Sequence, residues 1–339
     1  MKKVYLFCLA LICGNLQMVA TEGALSGRFT INANGDQVVF SQGNLQYQAS
    51  TWTWRFAEHQ YDFVGGYVPG NAPYNGSVHG NVFVDDVKCN NALISADYNG
   101  WIDLFGGGTG TNPTNSSDEN SDYSSSFTDW GINAISNGGN IANIWRTLTM
   151  SEWQYMLNTR PNANSLRGQA TACNIQGYVI LPDGWETPND LIFTPNPNNW
   201  ETNTYNDVQW AQMEQAGAVF LPAAGLRNKY YSSYVVIDSA PEVGYYWSNT
   251  QYKSVSAFAF VFTGSSITTG GITSYYSLFV GLSVRLVQIP SNDPTPLNNI
   301  QLGETQSHKF INGGHFIIEH NGKIFDSFGR YLRKKSLPY

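Results

Sequence analysis

Carboxylates, histidines and cysteines are the side chains that most often carry chemistry, and this chain holds few of them in patterns that chemistry requires. Among 339 residues there are 25 Asp and Glu, 5 His and 4 Cys. Asp118, Asn120 and Asp122 match positions 1, 3 and 5 of an EF-hand-type loop, with Asp129 at position 12. Oxygen donors at that spacing ligate calcium. However, Tyr123 stands where such a loop needs Gly, Asp129 replaces the bidentate Glu, and no helical pattern flanks the segment. The expectation is a solvated acidic loop and no cofactor, with calcium as the alternative. A glycosidase needs two carboxylates across a cleft. Asp103, Asp183 and Glu186 are candidates, but any chain of this length offers such pairs. No Gly-x-Ser-x-Gly occurs, and Gly106-Gly107-Gly108-Thr109-Gly110 lacks the Lys of a phosphate loop. His59 and His79 have no ligand spacing, and His315 and His320 flank a turn near the C-terminus.

The elements that must position any site centre on residues 217–289. Ala257-Phe258-Ala259-Phe260-Val261-Phe262 alternates large and small. Successive strand residues point to opposite faces, so Phe258, Phe260 and Phe262 share one face and Ala257, Ala259 and Val261 the other. Both faces are apolar, as in a central strand covered on both sides. Leu282, Val284 and Leu286 are expected on one face of the closing strand, with Ser283 and Arg285 on the other. From Ser248 to Ile289 there is no Asp or Glu, and the charges are Lys253 and Arg285 alone.

Upstream, Arg28–Ile31 and Gln37–Phe40 read as strands around an Asn34-Gly35 turn. Asn44–Gln48 and Trp52–Phe56 have half-buried strand patterning. Trp52, Trp54 and Phe56 then share a face, expected to be the inner face of the sheet, with a sugar-stacking face as the alternative. Residues 65–143 are rich in Gly, Asn, Ser and Thr, and this is the expected place for ligand-facing loops. Trp145–Leu157 reads as a helix capped by Thr149 or Ser151, Gly177–Leu181 as a strand, and Val208–Gln215 as a helix ended by Gly217.

Pro290–Gln306 reads as a linker, with Pro290, Pro294 and Pro296. Lys309–Lys334 follows as a small β unit punctuated by Asn312-Gly313, Asn321-Gly322 and Phe328-Gly329. So small a unit buries little apolar area, so it is expected to lean on a neighbour or partner.

The run Phe220-Leu-Pro-Ala-Ala-Gly-Leu-Arg227, then Gly244-Tyr-Tyr-Trp-Ser-Asn-Thr250, then Gly281-Leu-Ser-Val-Arg-Leu-Val287 resembles C-type-lectin-like domains of the formylglycine-generating-enzyme (sulfatase-modifying-factor) branch. The likeness is to the secreted and surface versions of Bacteroidota. It extends over most of residues 28–289 through motifs at 43–65, 99–106, 145–157 and 181–185. The resemblance implies an α+β fold with a central sheet, two short helices and long ordered loops that carry binding. Oxidases of that branch use a cysteine pair in the C-terminal half. No Cys follows Cys173, so that chemistry is not expected. The C-terminal segment resembles tails that end many secreted Bacteroidota proteins, which implies a sorting or docking element.

Residues 1–20 have the layout of a signal peptide: Lys2-Lys3, an apolar run Val4–Gly14, and Ala20 at the end. That run is too short for a typical membrane span, so no integral membrane protein is expected. Loss of Lys2 and Lys3 takes the net charge from −7 to −9, which argues against a nucleic-acid partner. Cys89 and Cys173 would then remain, as a disulfide or as two thiols. The domain plan is a signal peptide 1–20, a C-type-lectin-like domain 21–289, a linker 290–306 and a tail 307–339. The expected function is non-catalytic recognition of a glycan or protein by an exported protein, with structural adhesion through a tail-bound envelope partner, or carbohydrate hydrolysis, as alternatives. Tyr gives large, rigid contact area with a polar tip. The expected contact residues are Asn228, Tyr230, Tyr231, Tyr234, Tyr252, Tyr275 and Tyr276, some of which would instead pack the loops.

Overall fold

Asn34-Gly35 makes the expected hairpin. Gly35 sits at φ 86°, a conformation open to Gly, and β1 (Phe29–Thr30) pairs antiparallel with β2 (Gln37–Phe40). The computed structural model describes residues 22–65, 91, 94–123, 127–230, 234–265 and 274–290, then 307–312, 315–320, 323–326 and 331–332. The leader, His79, Cys89, Tyr231 and the segment 291–306 lie outside the described residues.

Downstream, β3 (Leu45–Gln48) pairs antiparallel with β4 (Thr53–Phe56) on one side and β5 (Trp101–Ile102) on the other. Next comes β6 (Arg146–Thr147), then α1 (Met150–Gln154), which runs on as a π-turn through Tyr155–Thr159. The helix thus starts later than its pattern suggested, because Arg146 and Thr147 pair with the last strand of the domain. Thr149 accepts from the Glu152 N–H, and the Glu152 carboxylate accepts from the Thr149 N–H, a reciprocal cap.

A second sheet holds β7 (Arg167–Ala172), β8 (Ile175–Ile180), β9 (Thr204–Tyr205) and β10 (Val219–Pro222), in the order β10-β8-β7-β9. Between β9 and β10, α2 (Asp207–Gln215) is capped by Asn206 and packs Trp210 and Met213 among Val179, Leu181 and Phe220. The hairpin β11 (Leu226–Tyr230) and β12 (Tyr234–Asp238) precedes a three-stranded antiparallel sheet of β13 (Val243–Lys253), β14 (Ser256–Thr263) and β15 (Ser274–Ser277). The domain closes with β16 (Leu286–Gln288), which pairs with β2 and β6 and so brings its two ends together. The chain divides between Asn292 and Asp293 into two units. In the second, β17 (Ser307–Asn312), β18 (His315–His320), β19 (Lys323–Asp326) and β20 (Tyr331–Leu332) make an antiparallel meander. Two short helices among several antiparallel sheets define an α+β fold.

β14 is the wall between two cores. Ala257, Ala259 and Val261 enter a cluster with Trp54, Phe105, Trp130 and Trp247. Phe260 and Phe262 enter another with Phe40, Trp153, Tyr178 and Tyr246. The large–small alternation has its physical reason here: the small face admits the bulky side chains of the first cluster. Ser283 and Arg285, set opposite Leu282 and Val284 in the closing segment, are buried as fully as those two. One expectation is corrected. Trp52 does not align with Trp54 and Phe56. Ala49–Thr51 make a 3-10 turn that Trp52 ends at φ 57°, so the strand begins at Thr53. Trp54 and Phe56 are buried, whereas Trp52 is 82% exposed.

The Phe262 ring lies over Gly244, its directly paired residue, where any Cβ would collide with it. Gly244→Ala must displace a fully buried ring and is expected to cost ~1–3 kcal/mol, read as a lower urea midpoint with an unchanged slope.

Candidate functional site

β13 begins in the core and leaves it. Trp247 is fully buried and donates its indole N–H to the Phe105 carbonyl (2.7 Å). Beyond it the pairing with β14 shifts twice, between Trp247 and Gln251 and again between Gln251 and Lys253. Such irregularities bend a strand and re-aim its side chains. The result is an aromatic group at the end of the sheet. Tyr252 stacks on Tyr275 with ring centroids 4.2 Å apart and planes 25° apart. Its ring also meets Phe258 edge-on at 5.2 Å. Phe258 and Tyr275 are directly paired across β14 and β15. The Lys253 ammonium stands 5.1 Å from the Tyr252 ring centroid, within range of an attractive contact with the ring face. Tyr252 is 40% and Tyr275 53% exposed.

The structure thus brings Tyr252 and Tyr275 together. Tyr276, one residue on, lies on the opposite face. It packs against the first core and meets Tyr245 edge-on at 5.4 Å. Loss of solvent, then the neighbouring Tyr245, pushes its hydroxyl up to about 12. Asn228 is half-buried in β11, and Tyr230 and Tyr234 are paired at the loop end of the β11–β12 hairpin. Tyr231 lies outside the described residues. Phe258 and Lys253 were not among the expected contact residues, because the shifts that turn Tyr252 towards Tyr275 leave no mark in residue pattern.

The other candidates serve local structure. Asp129 accepts from the Gly131 N–H (2.7 Å) and the Thr147 N–H (3.0 Å), capping one turn and holding β6. Asn120 and Asp122 lie in a 3-10 turn, Asn120–Tyr123, whose Tyr123 is buried. Among the described residues no three His, Cys, Asp or Glu side chains cluster as metal ligands. Asp183 accepts from Arg160 Nη1 (2.8 Å), from the Thr30 N–H and hydroxyl (2.7 Å each) and from Gln37 (3.0 Å). It joins β1 to the turn after β8. Glu186 is exposed. His59 stacks on Tyr61 and bonds Asp62 (3.1 Å). Cys173 has a free, half-buried thiol. Burial first, then a hydrogen bond with Asp207, pushes it up to about 12. A thiol so placed is a poor nucleophile at neutral pH.

Asp103 is fully buried and anchors the long insertion after β4. It accepts from the Val64 N–H (2.8 Å) and from Asn91 Nδ2 (2.9 Å), and Asn91 Oδ1 accepts from the Asp103 N–H (3.0 Å). Asn91 Nδ2 also donates to the Val64 carbonyl (3.0 Å). Both sides of the segment 65–90 are thereby tied to one carboxylate.

Compared with family models, curated proteins and solved structures, the chain matches none.

Desolvation pushes the Asp103 carboxyl up to about 7, against the N–H donors that pull it down. Between its ordinary value and 7 the folded protein holds a proton that the unfolded chain has released. Stability from this group therefore falls as pH rises from ~4 to 7. The stability of Asp103→Asn relative to the parent is expected to improve over that window, measured as the difference between their urea midpoints at each pH.

Proposed function

We propose that this chain is an exported, non-catalytic recognition protein whose main domain is C-type-lectin-like and binds a glycan or protein through aromatic groups at the rim of a rigid sheet. The carrying observation is the Tyr252–Tyr275 stack, exposed at the end of a strand whose other end lies in the core. Preorganised aromatic surface of this kind binds with little ordering cost. Asp103, Asp183 and Asp129 are each held in hydrogen bonds that build the fold, which favours binding over hydrolysis by those groups. Export rests on the basic and apolar layout of residues 1–20. Among the described residues no helix is long and apolar enough to cross a membrane.

Binding to a broad glycan and host-protein panel, with calcium and with chelator, tests the reading. Tyr252→Ala and Tyr275→Ala are each expected to weaken the bound ligand about tenfold or more, roughly 1.4 kcal/mol, with melting temperature held. Unchanged affinity in both would remove the stack from the site.

The C-terminal unit favours a second reading, attachment to an envelope or surface assembly. Its backbone register pairs Phe310 with Ile317, Ile311 with Phe316, Ile318 with Phe325, Phe325 with Tyr331 and Ile324 with Leu332. A single small sheet buries little apolar area by itself, and a covering partner would supply the rest. Removal of residues 293–339 is expected to move the protein from the cell surface to the medium, followed by immunoblot of both fractions. Full retention on cells would end this reading.

A further inference from the structure

The β3–β4 connection presents a residue that the turn itself does not need. Ala49–Thr51 form one 3-10 turn, and Trp52 ends it at φ 57°, ψ 32°, donating its N–H to the Ala49 carbonyl (3.2 Å). This left-handed conformation is disfavoured for a bulky side chain, and Gly is the residue that hairpin connections place there. The indole is 82% exposed. Among the described residues no ring contacts it. Trp54, two residues on, shows what the fold does with an indole it uses: that ring packs 4.6 Å from Tyr47 and 5.5 Å from Phe105. Backbone preference and apolar exposure both disfavour tryptophan at position 52, so its reason lies outside the fold.

The surroundings indicate what that reason is. From Gln48 to Trp54 there is no Asp, Glu, Lys or Arg. Ser50, Thr51 and Thr53 carry hydroxyls, and Gln48 an amide. Thr51 Oγ1 donates to Gln48 Oε1 (2.6 Å), Gln48 Nε2 donates to the Asn99 carbonyl (2.7 Å), and Thr53 Oγ1 donates to the Thr51 carbonyl (3.2 Å). These bonds stiffen the turn and fix the base of the indole. A flat apolar ring beside an uncharged rim of hydroxyls and amides suits a sugar: C–H groups lie on the ring face and hydroxyls reach the rim. The turn itself, Gln48–Trp54, carries no cation for a carboxylate or sulfate; Arg55, the next residue, lies over the Trp101 ring, and the segment bonded to the turn through the Ser50 N–H and the Tyr98 carbonyl carries the exposed Asp97.

We propose that Trp52 is the stacking residue of a neutral-saccharide site at the β3–β4 turn, separate from the Tyr252–Tyr275 stack. The inference does not rest on that stack or on its ligand. Calorimetric titration of the purified protein with neutral gluco-, xylo-, manno- and galacto-oligosaccharides, and with uronic-acid oligomers as the charged comparison, tests it. At least one neutral oligosaccharide should bind saturably. Trp52→Gly and Trp52→Ala should each weaken that binding about tenfold or more, Trp52→Phe should largely retain it, and Ile141→Ala, at an exposed position in neither aromatic feature, should leave it unchanged. The melting temperature of Trp52→Gly should equal or exceed that of the parent, since Gly suits the turn and removes exposed apolar surface. A structural role for Trp52 predicts the opposite: a lower melting temperature. The proposal is overturned if no neutral oligosaccharide binds, if uronic-acid oligomers alone bind, if Trp52→Gly binds like the parent, or if Trp52→Gly melts lower.

Discussion

The main domain is built around one buried guanidinium. Arg285 is 1% exposed. It donates to Gln60 Oε1 (2.9 Å) and, at a long 3.5 Å, to Asn44 Oδ1. Gln60 also accepts from the Phe220 N–H (2.7 Å) and donates to the Ala218 carbonyl (3.0 Å) and to Glu214 Oε2 (2.9 Å). Asn44 donates to the Tyr246 hydroxyl (3.1 Å), which donates to the Pro222 carbonyl (3.1 Å). One polar knot therefore holds the start of β3, the segment after β4, the last turn of α2, β10, β13 and the lead into β16. Desolvation drives the Arg285 guanidinium down to about 10, and Tyr246 and Glu214 resist that shift. Among the described residues no carboxylate pairs with it; Glu214 reaches it through Gln60. Breaking such a network strands several buried partners at once, which makes each member costly to remove. Apolar contacts tolerate sliding, whereas these bonds fix which residue meets which.

With that register set, the long insertion between β4 and β5 starts and ends at a fixed base. Asp103, Asn91 and Val64 close its neck, and β11 reaches towards the same region: Arg227 donates to the Leu104 carbonyl (3.3 Å) and the Asn115 carbonyl (3.5 Å). Residues 109–123 are held in turns sealed by the buried Tyr123, whose hydroxyl donates to the Ser117 carbonyl (3.0 Å). Residues read from sequence as part of the ligand-facing loops are here built into the domain. Loops anchored at a neck displace little of the core when their tips change, which is the arrangement binding surfaces require.

What the sequence made legible is what periodicity records. The two faces of β14, the Asn34-Gly35 hairpin and α2 with Gly217 to end it follow from alternation, turn chemistry and helix-stop chemistry, all of them local. Beyond that, local patterns met global constraints. Ser283 and Arg285 alternate with Leu282, Val284 and Leu286, which assigns faces but not burial, and both sides of that segment are covered. Polarity alone does not distinguish a solvated Arg from one that anchors a core. Trp52 fits the alternation of Trp54 and Phe56, but a three-residue turn consumes its place in the ladder. The pairing of Tyr252 with Tyr275 depends on register shifts in β13 and on a third strand, neither of which is written in residue types.

The two exposed aromatic features differ in how the fold accounts for them. Tyr252 and Tyr275 cover part of each other, and Phe258 and Lys253 add contacts to the same rings. Their apolar surface is partly buried before any ligand arrives, so the stack stabilises the sheet end as well as offering contact surface. Trp52 has no such compensation: its backbone conformation favours glycine and its indole faces solvent. An unfavourable residue held in place by a stiff turn is informative because stability alone would replace it. The same rigidity serves both features. Trp247 fastens one end of β13 to the Phe105 carbonyl, and Tyr47 and Phe105 clamp Trp54 at the start of β4. Each exposed ring is thus a few residues from one locked in the core, and the ordering cost of binding is met during folding.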